Sequence, residues 1–283
     1  VLLLGLVVLM VLTGCGTTEK ETKTKEKDPD KLVLNIEDKK EDNIQEEQTD
    51  MQEQASQPDG QLQAEEANEQ QPQKNGHLIA IDAGHQAKGN SEKEPVGPGS
   101  SEMKAKCTSG TQGTYSGVPE YQLNLEVSLQ LKDELEQRGY QVVMTRTDNE
   151  TAISNMERAQ YVASQGAEIY VRIHANGDDS HTASGALTMS PSQNNPYIPQ
   201  LFEQSDRLSR CIIDSYCAAT GFQNLGIQYT DTMTGINWST VPVTILEMGF
   251  MTSQNDDLKM NDAEFQKTMV QGIANGIDSY FAS

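Results

Sequence analysis

The chain has 283 residues, enough for one sizeable domain with appendages, and it carries 42 acidic and 21 basic side chains. The resulting formal charge of −21 argues against binding nucleic acid or another anionic polymer through a basic patch. With only four cysteines, the chain is not a disulfide-stapled scaffold.

The N-terminal residues 1–14 are uncharged and strongly apolar, and Cys15 follows them directly. This run is too short to span a bilayer comfortably and is typical of the apolar part of an export signal. Residues 12–15, Leu-Thr-Gly-Cys, resemble the lipobox of bacterial lipoproteins. That resemblance implies cleavage before Cys15, a lipid on its thiol and a membrane anchor facing the cell wall. The alternative is an ordinary signal peptide or membrane anchor with an incidental cysteine; each version predicts export.

Residues 16–76 change composition abruptly, with 8 lysines, 17 acidic residues and no aromatic side chain. Such a segment cannot bury enough apolar surface to offset the entropy lost on ordering. We therefore expect an acidic, disordered tether whose reach as a coil is about 40–50 Å.

The folded domain is predicted over residues 77–283, beginning with a buried strand at 78–81. His85 follows where this strand gives way to a loop, and Asp82 is expected to orient a ligand or that loop. Residues 86–118 are rich in Gly, Ser, Pro, Thr and Lys, which predicts a long loop beside the site. A solvated insertion without a role is the alternative.

Pro119 and Glu120 open a predicted helix, in which leucines recur at helical spacing until Arg138 and Gly139 end it. Glu120 lies in its first turn, and Asn124 lies one turn further on the same side. A glutamate in a first turn is commonly just a favourable partner of the helix dipole. Its functional interpretation depends on which side chains lie nearby.

Alternating apolar and polar residues at 168–176 predict a strand that ends in a loop at Asn176. His174 then lies at the carboxyl end of the strand, the usual place for site residues in open α/β sheets. Arg172 shares its face because side chains alternate along a strand. A lone histidine here could equally cap the strand and bond to a carbonyl.

Further strands are predicted at 141–146, 184–189, 226–229 and 241–247, and helices at 154–165, 201–220 and from Asn261 or Asp262 to the C-terminus. This alternation predicts an α/β fold. Its core is a mostly parallel, twisted sheet of about six strands, covered by helices on both faces. Glu247 ends the last strand, where a buried carboxylate needs a partner.

Three strand ends and one helix start thus carry His85, His174, Glu247 and Glu120. Two histidines with one carboxylate form the ligand set of a catalytic zinc site, and a second carboxylate nearby would serve as general base. The pattern indicates a zinc hydrolase with its site at the strand ends.

These segments resemble the zinc-dependent N-acetylmuramoyl-L-alanine amidases of the amidase-3 type across about residues 78–281. The matching segments, in order, are 79–85, Glu120 with Asn124, 145–148, Arg158 with Ala159, 173–176, and 242–250 with Asn255. The resemblance implies that one zinc ion is bound by His85, Glu120 and His174, and that Glu247 is the catalytic carboxylate. It implies peptidoglycan as the substrate, cut between the lactyl group of N-acetylmuramic acid and L-alanine.

Two departures from the family pattern matter. The segment between His85 and Glu120 is much longer than the family's short Gly-rich loop, so substrate contacts cannot be carried over to it. Arg172 stands where the family often has a small residue, and we expect it to bind a substrate carbonyl or a stem-peptide carboxylate. The alternative is an ion pair with a neighbouring acid such as Glu247.

Two other functions compete with the amidase. A lipid-anchored solute receptor would need no zinc, although about 205 folded residues is small for a two-lobed receptor. A zinc peptidase acting on the stem peptide would use the same chemistry on a different amide, and only the resemblance favours the amidase over it.

Overall fold

The computed structural model describes residues 75–283. The predictions for the apolar run, for lipidation of Cys15 and for nearly all of the acidic tether fall on residues 1–74, outside the described residues. Within residues 75–283, no helix has both the length and the apolar composition needed to cross a membrane.

The strands of residues 75–283 form two sheets. Their bounds are β1 (Leu78–Ala83), β2 (Asn90–Pro95), β3 (Met103–Cys107), β4 (Gln141–Met144), β5 (Ile169–Asn176), β6 (Ala186–Ser190), β7 (Asn224–Tyr229) and β8 (Val243–Phe250). Six of them form a central sheet in the order β4-β1-β5-β8-β6-β7, in which only the β6–β8 pair is antiparallel. The predicted mostly parallel sheet of about six strands is confirmed.

Helices cover both faces of this sheet, as predicted. Their bounds are α1 (Glu120–Gln137), α2 (Asn155–Gln165), α3 (Phe202–Thr220), α4 (Thr234–Asn237), α5 (Gln254–Met260) and α6 (Ala263–Ala282). Helices α1, α3 and α6 pack with one set of alternating strand residues, whereas α2 and α4 pack with the opposite set. The second face also carries Asp82, Arg172, His174 and Glu247, because they share the parity of Ala80, Tyr170 and Ile245.

The expectation of a structureless loop at residues 86–118 was wrong, because β2 and β3 pair there as an antiparallel hairpin. The sequence did not predict these strands, because most of their side chains are polar and at least partly exposed and apolar residues do not alternate along them. Glu94 and Cys107 are the exceptions, since both are buried. The Glu94 carboxylate accepts a hydrogen bond from the N–H of Met156 in the first turn of α2 at 3.1 Å.

Helix boundaries follow the capping residues in the sequence. Ser154 and Glu157 form a capping box at the start of α2, and Asp262, one of two predicted candidates, caps α6 by accepting from the N–H of Phe265. Cys107, Cys211 and Cys217 are free thiols.

Helices α3 and α6 approach closely enough that their backbones touch at Gly276. A Cβ placed on Gly276 would lie 2.8 Å from the carbonyl oxygen of Cys211, closer than real Cβ atoms come to backbone. Hydrogen at this position therefore sets the separation of the two helices.

We expect Gly276→Ala to lower the free energy of unfolding by about 1–3 kcal/mol, because the backbone of α3 must move to admit the methyl group. The measurement is urea unfolding followed by circular dichroism. Ser279→Ala, on the exposed side of the same helix, is the matched control and should change stability by less than about 0.5 kcal/mol. An equally stable Gly276→Ala protein would contradict the close approach.

Candidate metal centre and cleft

Three separate elements bring His85, Glu120 and His174 together. His85 follows β1, Glu120 is the first residue of α1, and His174 lies near the end of β5. Glu120 Oε1 lies 3.1 Å from Nε2 of His85 and 3.3 Å from Nδ1 of His174. One ligand atom from each residue falls within 4.8 Å of the others, a separation that could hold a metal ion.

Glu120 is held by backbone and side-chain donors on both oxygens. Oε2 accepts from the N–H of Thr111 at 2.9 Å, and Oε1 accepts from the N–H of Ala175 and from Asn124, each at 3.2 Å. Burial opposes its ionisation, but the hydrogen bonds to His174 and His85 outweigh burial and hold the pKa of Glu120 well below its ordinary range. The carboxylate is therefore charged and fixed in place.

His85 has φ of 63°, in the left-handed region that non-glycine residues rarely occupy. Its Nδ1 lies 3.0 Å from the carbonyl oxygen of Thr108, just beyond β3. Oγ1 of Thr108 lies at the same distance from Nδ1, so Thr108 holds this side of the ring and Nε2 faces Glu120. At 3.1 Å, a proton or a metal ion must lie between Nε2 and Oε1 of Glu120, because two lone pairs would repel one another.

His174 supplies the second imidazole in neutral form. Burial lowers its pKa to about 4, although the Glu120 carboxylate acts in the opposite direction. Nε2 of His174 is buried and, among residues 75–283, has no hydrogen-bond partner. A neutral imidazole with an unpartnered nitrogen, beside a charged carboxylate and a second imidazole, fits the donor set of a catalytic metal site.

Asp82 stabilises the loop that carries His85 through two arginines. Its oxygens accept from Nη1 of Arg158 at 2.7 Å and from Nε of Arg172 at 2.8 Å, and all three side chains are buried. Arg158 in turn donates to the carbonyl of His85 at 2.9 Å. Arg146 donates to the two preceding loop carbonyls, at 2.7 and 3.0 Å. Through Arg158, Asp82 is thus connected to the backbone of His85.

Glu247 lies beside His174, because β5 and β8 pair these two residues in register. Burial, reinforced by repulsion from Glu120, raises the pKa of Glu247 to about 8. Its Oε2 is buried and has no hydrogen-bond partner within the described part of the chain. A carboxyl group with this pKa can accept and donate a proton near neutral pH.

Arg172 does form an ion pair, but its partner is Asp82 and not Glu247. Nη2 of Arg172 donates to Oδ1 of Asn155, at the start of α2, at 2.9 Å. Arg172 also lines a cleft of about 230 Å³ together with the metal-site histidines and Glu247. The ion pair therefore does not remove Arg172 from the site.

Asn124 and Asn176, which belong to segments that match the family pattern, lie in different parts of the structure. Asn124 is fully buried and donates to Glu120 and to the carbonyl of Gly84, so it belongs to the metal site. Asn176 instead turns the loop after β5: its side chain accepts from the N–H of Gly177 and its carbonyl accepts from Met251. Asn176 is not among the residues that line the cleft.

Several cleft residues were missed by sequence reasoning; they are Thr108, Asn155, Met189, Met233, Thr234, Gly235 and Ile245. Ile245 could have been predicted, because it lies two residues before Glu247 on the same strand and side chains two residues apart share a face. Met189 comes from β6, and the others come from α4 and the residue before it, from the start of α2 and from the end of the hairpin. The contacts of these residues with the cleft depend on tertiary structure.

Comparisons with known proteins agree with this geometry. Residues 79–279 match the family profile described as N-acetylmuramoyl-L-alanine amidase. Over 206 residues the chain is 28% identical to the uncharacterized protein YqiI of Bacillus subtilis, covering 73% of this chain and 85% of that protein.

Two characterised proteins are also similar. The N-acetylmuramoyl-L-alanine amidase LytC of Bacillus subtilis is 26% identical over 208 residues, 73% of this chain and 36% of that protein. The structure of the N-acetylmuramyl-L-alanine amidase Ami1 from Mycobacterium abscessus superposes with a TM-score of 0.66 at 26% identity, covering 73% of this chain and 99% of that one.

We expect Asp82→Asn to lower the free energy of unfolding by about 3–5 kcal/mol at pH 7, because two buried guanidiniums lose their counter-charge. Burial alone would raise the pKa of Asp82, but Arg158 and Arg172 outweigh it and hold that pKa well below its ordinary range. The contribution is therefore fully present above the unfolded-state pKa of about 4 and is lost as the pH falls further.

Urea unfolding of the wild type and of Asp82→Asn between pH 3 and 7 measures the difference in their free energies of unfolding. The difference in stability should stay constant down to about pH 5 and narrow below about pH 4. Asp133→Asn, on the exposed surface of α1, is the control and should cost less than about 0.5 kcal/mol. Equal stability of Asp82→Asn and the control would contradict a structural role for the shared carboxylate.

Proposed function

Since the chain belongs to the N-acetylmuramoyl-L-alanine amidase family and is an amidase, we propose that it is a zinc-dependent hydrolase of peptidoglycan. The bond it cuts is the amide between the lactyl group of N-acetylmuramic acid and L-alanine. One observation carries the proposal: the donors His85, Glu120 and His174 converge at a cleft where the unpartnered carboxyl oxygen of Glu247 lies beside them.

The metal in this proposal is one zinc ion held by His85, Glu120 and His174. Neutral imidazoles and a charged carboxylate are the ligands that zinc takes in hydrolases. When bound, zinc would act as a Lewis acid that polarises the scissile carbonyl and lowers the pKa of a nearby water. Backbone donors fix Glu120 and a backbone carbonyl fixes His85, so the site is organised before substrate arrives.

Glu247 is the residue that moves the proton. Its carboxylate accepts a proton from the attacking water at Oε2, which no described protein group occupies, and returns that proton to the leaving nitrogen of L-alanine. Burial raises the pKa of Glu247, and this favours the second step, because a poorly solvated carboxylate holds the proton until the amine leaves.

We further propose that Cys15 carries a lipid and that the acidic segment 16–76 links the enzyme to a membrane. The support is the uncharged run 1–14 that ends at this cysteine, followed by a segment without aromatic residues. The anchor would place the enzyme outside the membrane with peptidoglycan within the reach of the tether.

The variant Glu247→Gln tests the proposed reaction. We expect this variant to lose about 10²- to 10⁴-fold in kcat while it retains one zinc per chain, since the amide cannot take up the proton but the three ligands are unchanged. Purified peptidoglycan is digested and the products are identified by mass spectrometry, with zinc measured by atomic absorption. Wild-type products should carry free lactyl carboxylates and new L-alanine amino groups, and a chelator should abolish them.

Glu264→Gln, on the exposed surface of α6, is the control and should behave as the wild type. Release of shorter peptides with the sugar–peptide bond intact would instead show a stem-peptide peptidase. Absence of both zinc and product would support a receptor. Full activity after complete removal of zinc would refute the proposed metal dependence.

The variant Cys15→Ala tests the proposed anchor. In a bacterial host, the wild type should incorporate a labelled fatty acid and fractionate with membranes, whereas Cys15→Ala should lose both properties because its side chain has no thiol. Cys107→Ala, which alters a buried thiol of the folded domain, is the control and should keep the label. An unlabelled wild type would contradict the anchor.

A further inference from the structure

The cleft has two tiers that follow from the register of the central sheet. His174 and Glu247 lie opposite one another and form the upper tier at the strand ends. Arg172 is paired with Ile245, which is paired with Met189 on its other side, and these three form the lower tier. All five residues line the same cleft.

The two tiers are separated by two residues along β5 and along β8. At about 3.3 Å per residue, the lower tier lies about 7 Å from the upper one. One residue of extended peptide also spans about 3.3–3.6 Å. A peptide whose scissile amide lies in the upper tier can therefore place its second residue against the lower tier.

Arg172 supplies a positive charge that its protein partner only half neutralises. Asp82 is paired with both Arg158 and Arg172, so two guanidiniums share one carboxylate. Of these two, it is Arg172 that lines the cleft. Buried charges are costly unless paired, so the lower tier is suited to a group that brings a negative charge.

Neighbouring groups keep the guanidinium in position. Asn155 accepts from its Nη2, and Asn155 itself donates to the carbonyl of Lys106 in β3, so the hairpin fixes the asparagine. Gly235 of α4 passes so close to Nη1 that a Cβ there would overlap it. The rest of the lower tier is apolar, since Ile245 and Met189 meet Met233 from the loop before α4.

We propose that the lower tier is a carboxylate subsite and that Arg172 determines specificity within it. Its ligand is a free carboxylate on the second residue of the peptide, counted from the scissile amide, and the apolar surface beside it contacts the first residue. An arginine matches a carboxylate in charge and geometry, whereas a carboxamide would place an N–H₂ group against a cation. This inference rests on the proposed function.

The test compares two disaccharide-peptide substrates that differ in one group, with either D-glutamate or D-isoglutamine after L-alanine. The zinc-loaded full chain should cleave the carboxylate form with a kcat/KM about 10-fold or more above that of the carboxamide form, as expected for a charge-assisted hydrogen bond. Arg172→Gln should lose the preference, because the rate for the carboxylate form falls more than the rate for the carboxamide form.

Two further variants separate specificity from stability. Arg172→Lys keeps the charge and should retain part of the preference. Gly235→Ala keeps the charge but displaces the guanidinium, so the preference should fall although the arginine is still present. A structural role alone would lower both rates equally in every variant.

Equal cleavage of the two substrates by the wild type would overturn the subsite even if no variant folds. Equal losses on both substrates in a folded Arg172→Gln protein would also overturn it. Cleavage of neither substrate at the lactyl amide would overturn the proposed function, and the subsite with it.

Discussion

Two buried guanidiniums, those of Arg158 and Arg172, divide the oxygens of Asp82 between them. Arg158 also donates to the backbone carbonyl of His85, and Arg172 lines the wall of the cleft. Removing the carboxylate would leave two buried charges uncompensated, which costs far more than the pair contributes over an apolar replacement. The interaction therefore fixes positions, because it connects the candidate metal site and the wall of the cleft to one residue of β1.

The site combines rigid and unsatisfied groups in a definite pattern. Glu120 and His85 are each held by backbone atoms, which cannot rotate away. Glu247 Oε2 and His174 Nε2, by contrast, are buried without partners in the described residues. An unsatisfied buried polar atom is costly, and native proteins keep few of them. Their position in one cleft, beside a fixed carboxylate, is what a site prepared for a metal and a substrate requires.

Much of this arrangement could be predicted from the sequence, because the sheet is regular. His85 follows an apolar strand, and His174 and Glu247 lie in the carboxyl-terminal halves of two others, so parallel pairing brings them together. Strand β8 continues to Phe250, beyond the predicted end at Glu247. The β2–β3 hairpin could not be predicted, since most of its side chains face solvent and lack alternation. Arg172 shows the limit most clearly: its face was predictable, but its choice of Asp82 over Glu247 depends on the register of β1 against β5.

The bond between the hairpin and His85 constrains evolution of this segment in an unusual way. Nδ1 of His85 contacts the carbonyl of Thr108, an atom that every amino acid possesses. Oγ1 of Thr108 lies equally close, so substitution at position 108 removes one contact and leaves the carbonyl in place. Insertion or deletion within the hairpin would bring a different residue to that point and change the groups that contact the imidazole. We expect homologues that keep this hairpin to vary in its amino-acid sequence but to conserve its number of residues.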